Sequence, residues 1–368
     1  MKGCVFFPWF VKIVVITNII CLISNNVDLA EAKQKKLPPK NMAAQCDLYD
    51  GRWVLDYKYP LYNAKDCPFL LQQFDCVRNG RPDRAYLEYR WQPRNCDLTR
   101  WDGKDFVRRI KNKKVLFVGD SLSLNQWQSL ACMLHSAFPC AYYNVTRNGA
   151  LMSTFSIPSK QVTVSYVRNA LLVDKVRQKS KRVLKLDSVA GSSKLWMGYD
   201  ILIFDTWHWW LHTGRKQPWD VIQDGKYVRK DMDRLKAYEK ALVTWGRWVS
   251  DNINFKKVQV FFQGISPDHS NATEWGRKTN KMQCWGEKKP IKKLRYGSKV
   301  QANMLLDQVL GKTGKPVHLL SISKMSQYRV DGHPSIYGSP RYKGMDCTHW
   351  CLPGIPDTWN QLLYSNLM

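Results

Sequence analysis

Four short apolar runs constrain what this chain can fold into more than any other feature. Val115–Val118 stops at Gly119, Ile201–Phe204 stops at Asp205, Val258–Phe262 stops at Gln263-Gly264, and Val317–Leu320 is the fourth. Short apolar runs of this kind are expected of strands buried on both faces. Helix-length segments lie between them. Asn125–Leu134 follows the first run, and Met232–Asn252 carries Leu235, Tyr238, Leu242, Trp245 and Val249 at spacings of three and four. Buried strands alternating with helices predict an α/β fold, a parallel sheet flanked by helices. Such sheets bind ligands beyond the carboxyl ends of their strands, so chemistry is sought where these runs stop.

Two motifs meet that requirement. Gly119-Asp120-Ser121 directly follows the first run. A Ser on a tight strand-to-helix turn exposes its hydroxyl and keeps its N–H free at a helix N-terminus, which suits a nucleophile with an oxyanion-binding amide. A helix-capping Ser is the other reading, and the hydrolase elbow GxSxG is absent. Asp346-Cys347-Thr348-His349 lies near the chain end. An Asp and a His three apart can place the carboxylate on one imidazole nitrogen and leave the other for Ser121, which is triad logic. After the second run, Trp207-His208-Trp209-Trp210 offers indole faces for sugar rings, flanked by polar groups. Core packing is an equal claim on those indoles. Asp205 and Arg215, with Lys216 and Asp220 nearby, complete the candidate substrate-binding set.

The N-terminus addresses the chain to the secretory pathway. Val5–Ile23 is mostly apolar, is preceded by Lys2 and is broken by Lys12. The apolar core after Lys12 suits a signal-peptide h-region of roughly 7–15 residues, with Ala30-Glu31-Ala32 as a cleavage site. An uncleaved signal anchor over Val5–Ile23 is the other reading of the leader; the expected location is the Golgi membrane as a single-pass type II protein, with a cleaved signal peptide and secretion to the cell wall as the alternative. Residues 1–32 are thus the leader and 33–45 a Lys- and Pro-rich stem. Residues 46–105 form a Cys- and Trp-rich, loop-rich subdomain, and 106–368 the α/β domain. Of 11 Cys, two lie in the leader and nine remain without a CxxC pair, so disulfides are expected and a metal site is not. Asn144 and Asn271 open N-glycosylation sequons.

Charge adds a partner. With 57 Lys+Arg against 30 Asp+Glu the net charge is +27, yet 16 Trp and 12% aromatics exclude a disordered chain. A polyanionic partner follows. A lumenal address disfavours nucleic acid and makes a polysaccharide the natural one.

The segments VLFVGDSLSLNQWQSLACM (Val115–Met133) and DCTHWCLPGIPDTWN (Asp346–Asn360) resemble the trichome birefringence-like family of plant polysaccharide O-acetyltransferases. CDLYDGRWV (Cys46–Val54), YPLYNAKDCPFL (Tyr59–Leu70) and RWQPRNCDL (Arg90–Leu98) extend the resemblance over nearly the whole mature chain. The resemblance implies an SGNH/GDSL-esterase-like fold with Ser121 as nucleophile, His349 as general base and Asp346 as its orienter. It implies oxyanion donors at the Ser121 amide and Gly149. Relatives commonly carry Asn where this chain has Asp205, and an ionised carboxylate cannot donate to an oxyanion. Holding a neighbouring loop or binding a substrate hydroxyl are its alternative roles. The implied disulfides are Cys46–Cys96, Cys67–Cys132, Cys76–Cys351 and Cys284–Cys347, leaving Cys140 unpaired.

The expected activity is acetyl transfer to a cell-wall polysaccharide (xylan, mannan, xyloglucan or pectin) through an acetyl-serine. No phosphate-cradling or dinucleotide fingerprint is present, so no bound cofactor is expected, but an acetyl donor is required: acetyl-CoA or another acetyl carrier. A polysaccharide acetylesterase and a non-catalytic glycan-binding module are the competing readings. The surplus of positive charge leans towards pectin, whose galacturonan carries a carboxylate on each ring.

Overall fold

The computed structural model describes residues 46–292, 301–339 and 344–367. The leader, the stem and the choice between signal peptide and anchor lie outside the described residues. Among the described residues, no helix is long and apolar enough to cross a membrane.

The chain begins with an antiparallel pair, β1 (Gly51–Leu55) and β2 (Tyr89–Pro93). Helix α1 (Gly103–Arg109) leads into β3 (Lys114–Gly119) and α2 (Ser121–Ala137). A meander follows of β4 (Asn144–Asn148), β5 (Met152–Ile157) and β6 (Val162–Arg168). Then come β7 (Asp174–Gln178), β8 (Lys181–Lys185), β9 (Ile201–Phe204), β10 (Val221–Asp224) and β11 (Tyr227–Arg229). The last third comprises α3 (Arg234–Asn252), β12 (Gln259–Gln263), α4 (Gln301–Lys312), β13 (Val317–Leu320), α5 (Ser323–Gln327) and α6 (Ile355–Asn366).

The four apolar runs become four neighbouring strands of one seven-stranded sheet, in the order β13-β12-β9-β3-β6-β5-β4. Pairing is parallel from β13 to β6 and antiparallel through β5 and β4. The sheet is therefore mixed, with a hairpin closing the β4 edge that the apolar runs did not announce. A second sheet, β11-β10-β8-β7, is built from strands such as DKVRQ and KRVLK, too polar to read as buried.

Side chains alternate across each strand, and the two faces build separate cores. Val115, Phe117, Ile201, Ile203 and Phe261 pack with Leu122, Trp127 and Leu130 of α2 and Trp359 and Leu362 of α6. Leu116, Val118, Leu202, Phe204, Val260 and Phe262 pack with Tyr238, Leu242 and Trp245 of α3 and Leu306 of α4. The periodic residues of Met232–Asn252 are the ones α3 turns inward, except that Leu235 is only partly buried.

Disulfides staple the N-terminal subdomain to this core. Cys46–Cys96 closes it on itself, Cys67–Cys132 ties it to α2, Cys76–Cys351 ties it to the segment bearing Asp346 and His349, and Cys284–Cys347 anchors that segment from between those two residues. Cys140 is free and exposed. Each such bridge contributes on the order of 2–4 kcal/mol.

Trp245 tests the α3 face: it is fully buried, with ring centroids 5.2 Å from Phe204 and 4.9 Å from Phe262. Trp245→Ala leaves a cavity against the central strands and is expected to cost about 3–5 kcal/mol, read from the shift in urea midpoint.

Candidate active site

Gly119, Asp120 and Ser121 form the junction between β3 and α2. Gly119 is the last residue of the strand, and a Cβ there would stand 2.3 Å from Ser123 Oγ and 2.6 Å from the Asp205 carbonyl oxygen, so only glycine fits. Asp120 caps α2 by accepting the Leu122 N–H at 2.8 Å. Capping therefore falls to Asp120 rather than to Ser121, which is the first helical residue. Its N–H has no intrahelical acceptor.

The Ser121 hydroxyl meets the C-terminal segment. Ser121 Oγ lies 2.7 Å from His349 Nε2, and His349 Nδ1 lies 2.8 Å from Asp346 Oδ2. The other carboxylate oxygen of Asp346 accepts the N–H groups of Thr348 and His349. Burial would raise the Asp346 pKa, but the charge and hydrogen bonds of His349 outweigh it and hold the carboxyl at about 2. Burial likewise disfavours a charged His349, yet the Asp346 charge and hydrogen bond move its pKa above the ordinary imidazole value. An alignment of this kind is able to serve as a nucleophile, a base and its orienter.

Several residues with no sequence signal hold this geometry. Asn125, one turn along α2 from Ser121, accepts the Trp350 N–H at 2.8 Å and donates to the Trp350 carbonyl at 3.2 Å. Ser335 exchanges backbone hydrogen bonds with Asp346. His333 Nδ1 donates to the His349 carbonyl at 2.6 Å, its ring stacked on Trp350 at 3.9 Å. A single polar residue in an apolar stretch has no periodicity to betray it, and only DGHP, near the Cys-flanked turn, stands out in retrospect.

Asp205 corrects the expectation of a substrate-binding carboxylate. It is fully buried behind the serine turn, 3.5 Å from Ser123 Oγ. Burial first, and then Asp120, push its pKa well above the ordinary carboxylate range. Asp120 Oδ2, buried beside it, has no hydrogen-bond partner among the described residues. His208 Nδ1 stands 3.9 Å from Asp120 Oδ2, and burial pushes this imidazole towards its neutral form.

The indoles divide. Trp207 and Trp210 are core residues packed on Tyr238, so they are not available as sugar platforms. Trp209 is partly exposed, with the Arg168 guanidinium 4.8 Å from its ring centroid. Arg215 and Lys216 sit on an exposed 3-10 turn, and Asp220 is engaged by Arg182 at 2.7 Å rather than free to line a groove. Gly149 occupies an exposed turn at φ +55° with open space around it, and no contact joins it to Ser121. Asn144 and Asn271 are exposed. Among the described residues, no group of three or more His, Cys, Asp or Glu could hold a metal ion.

Comparison with known proteins decides the family. A model described as a GDSL/SGNH-like acyl-esterase family found in Pmr5 and Cas1p matches residues 98–366, and one described as the PMR5 N-terminal domain matches residues 44–97. Protein trichome birefringence-like 43 of Arabidopsis thaliana is 50% identical over 359 residues, 97% of this chain and 96% of its own. The chain belongs to the trichome birefringence-like family. Trichome birefringence-like 41 and 42 of the same plant are 50% and 47% identical, covering 90% and 89% of this chain and 93% and 90% of theirs. The α/β architecture and the stapled N-terminal region accord with that membership.

A carboxyl whose pKa is raised by folding favours the folded state below its unfolded pKa and loses that advantage as pH rises towards the folded value. Asp205→Asn keeps a donor and removes the titration. The variant is expected to be at least as stable as the native protein at pH 7, the gain shrinking as pH falls towards the ordinary carboxylate range, as followed by urea unfolding across pH.

Proposed function

We propose that this protein is a polysaccharide O-acetyltransferase acting through an acetyl-serine. The observation that carries the reading is the unbroken hydrogen-bonded line from Asp346 through His349 to Ser121, at the carboxyl end of a central parallel strand. His349 Nε2 removes the Ser121 proton as Oγ attacks the acetyl carbonyl of the donor. The oxyanion develops near the Ser121 N–H at the start of α2. Collapse expels the donor's leaving group, which takes the proton back from His349, and leaves acetyl-Ser121. A sugar hydroxyl then gives its proton to His349 as it attacks the ester, and collapse releases the acetylated sugar while His349 returns the proton to Ser121 Oγ. Asp346 stays ionised throughout, orienting the imidazole and stabilising its charged form.

An esterase would consume the same acyl-enzyme with water, and the matching family description, an acyl-esterase family, favours keeping that reading second. Four disulfides and the leader support a lumenal site of action in the secretory pathway. An acetyl carrier serves as co-substrate.

Incubation with an acetyl donor should add one acetyl mass to the peptide containing Ser121. Ser121→Ala should lose that adduct and at least on the order of 10³-fold in transfer rate. Undiminished transfer by that variant would overturn the assignment, and acetate release independent of glycan would favour the esterase.

His349 must be neutral to accept a proton, and Asp346 raises its pKa, so transfer should increase with pH through an apparent pKa above the ordinary imidazole value. Asp346→Asn should move that limb to lower pH and reduce kcat on the order of 10⁴-fold, both readable from one pH–rate profile.

A further inference from the structure

A cavity of about 470 Å³ opens beside the serine turn, within the roughly 300–1,000 Å³ common for ligand sites. One of its walls bonds directly to Gly119, and another adjoins a residue that faces Asp120. Arg168 pairs with Gly119 across β6 and β3, and the next residue, Asn169, donates its N–H to the Gly119 carbonyl at 2.9 Å. Trp209 adjoins His208, which faces Asp120. A ligand in this cavity therefore lies against the elements that position Ser121.

Its chemistry is asymmetric in charge. The Arg168 guanidinium lies over Trp209, and among the described residues no carboxylate pairs with it. The Lys175 ammonium has its pKa lowered by partial burial and by the like charges of Arg182 and Arg168, with no anion offsetting them. Asp174, the one acid of the lining, is fully engaged: it accepts from Ser188 Oγ, the Gly191 N–H, and the Ser192 N–H and Oγ at 2.7–3.0 Å. Leu151 and Leu195 are 48% and 41% exposed in the same cavity and supply apolar surface. The lining thus combines flat apolar faces with two cations that lack an anion.

We propose that this cavity is the acceptor subsite and that it takes a uronic-acid unit. Arg168 and Lys175 receive the ring carboxylate, and Trp209 with the two leucines receives the faces of neighbouring rings. The inference rests on the acetyl-transfer reading and narrows it to an acidic glycan. Arg supplies a planar fork that fits a carboxylate, and a charge-assisted pair in a recess is stronger than one on open surface.

Calorimetry with the Ser121→Ala protein separates binding from turnover. The probes are an oligogalacturonate, its fully methyl-esterified form, which keeps the rings and removes the charge, and a xylan oligosaccharide of equal length. The acid should bind on the order of tenfold more tightly than its ester, and the preference should fade at high salt. Arg168→Gln combined with Lys175→Gln should abolish the preference while leaving the ester's affinity unchanged, whereas Trp209→Ala should weaken both. Equal or absent binding of acid and ester, or a preference that survives the double substitution, overturns the inference and leaves acetyl transfer standing. Failure of the native protein to form acetyl-Ser121 overturns acetyl transfer and leaves the binding result intact.

Discussion

The buried side chain of Asn125 joins the two halves of the site. One amide satisfies both the N–H and the carbonyl of Trp350, a residue 225 positions away. In an interior where an unmet backbone group costs about 1–3 kcal/mol, that double contact fixes the register between α2 and the segment from Asp346 to Cys351. Ser121 lies four residues before Asn125 and His349 one before Trp350, so the Ser121–His349 distance depends on this amide. The bridge to Ser335, the His333 hydrogen bond and the two disulfides hold the same segment from its other sides.

Around this joint the protein drives its carboxyl groups apart. An imidazole and two N–H groups hold the Asp346 carboxyl at about 2, burial and then Asp120 push Asp205 well above the ordinary carboxylate range, and burial pushes Asp357 up to about 7. Separated pKa values of this kind mark divided roles. The charge beside His349 makes the imidazole a stronger base. The raised pKa of Asp205 eases the repulsion between two acids in a dry space beneath Ser121, where the serine turn is packed tightly from behind. Gly119 and Ser123 show how tightly.

Four strands were legible from their apolar runs: Ile201–Phe204 matches a fully buried strand to the residue, and Val317–Leu320 matches to the residue the edge strand β13, of which only Leu320 is buried. β7 and β8 were not, since lysines and arginines on a peripheral sheet look like loop. Trp207 and Trp210 illustrate a different difficulty: an indole after a strand serves a sugar or a core equally well, and only packing on Tyr238 decides. Ser121, Asp346 and His349 could be named because the family resemblance links motifs that spacing alone leaves far apart. Asp205 reads as a substrate-facing carboxylate because the burial that encloses it and raises its pKa leaves no trace in the sequence.

The bridge from Cys76 to Cys351 spans 275 residues, and it sets a timetable. Chains emerge N-terminus first and tend to fold in that order, so β3, α2 and Ser121 exist long before the segment that bears His349. Until the last few dozen residues have been made and oxidised, the hydroxyl stands beside an empty place. The contact between Ser121 and His349 therefore waits on the same segment that brings α6 to the core, and a product cut short before Asp346 would lack both the imidazole and that buried helix.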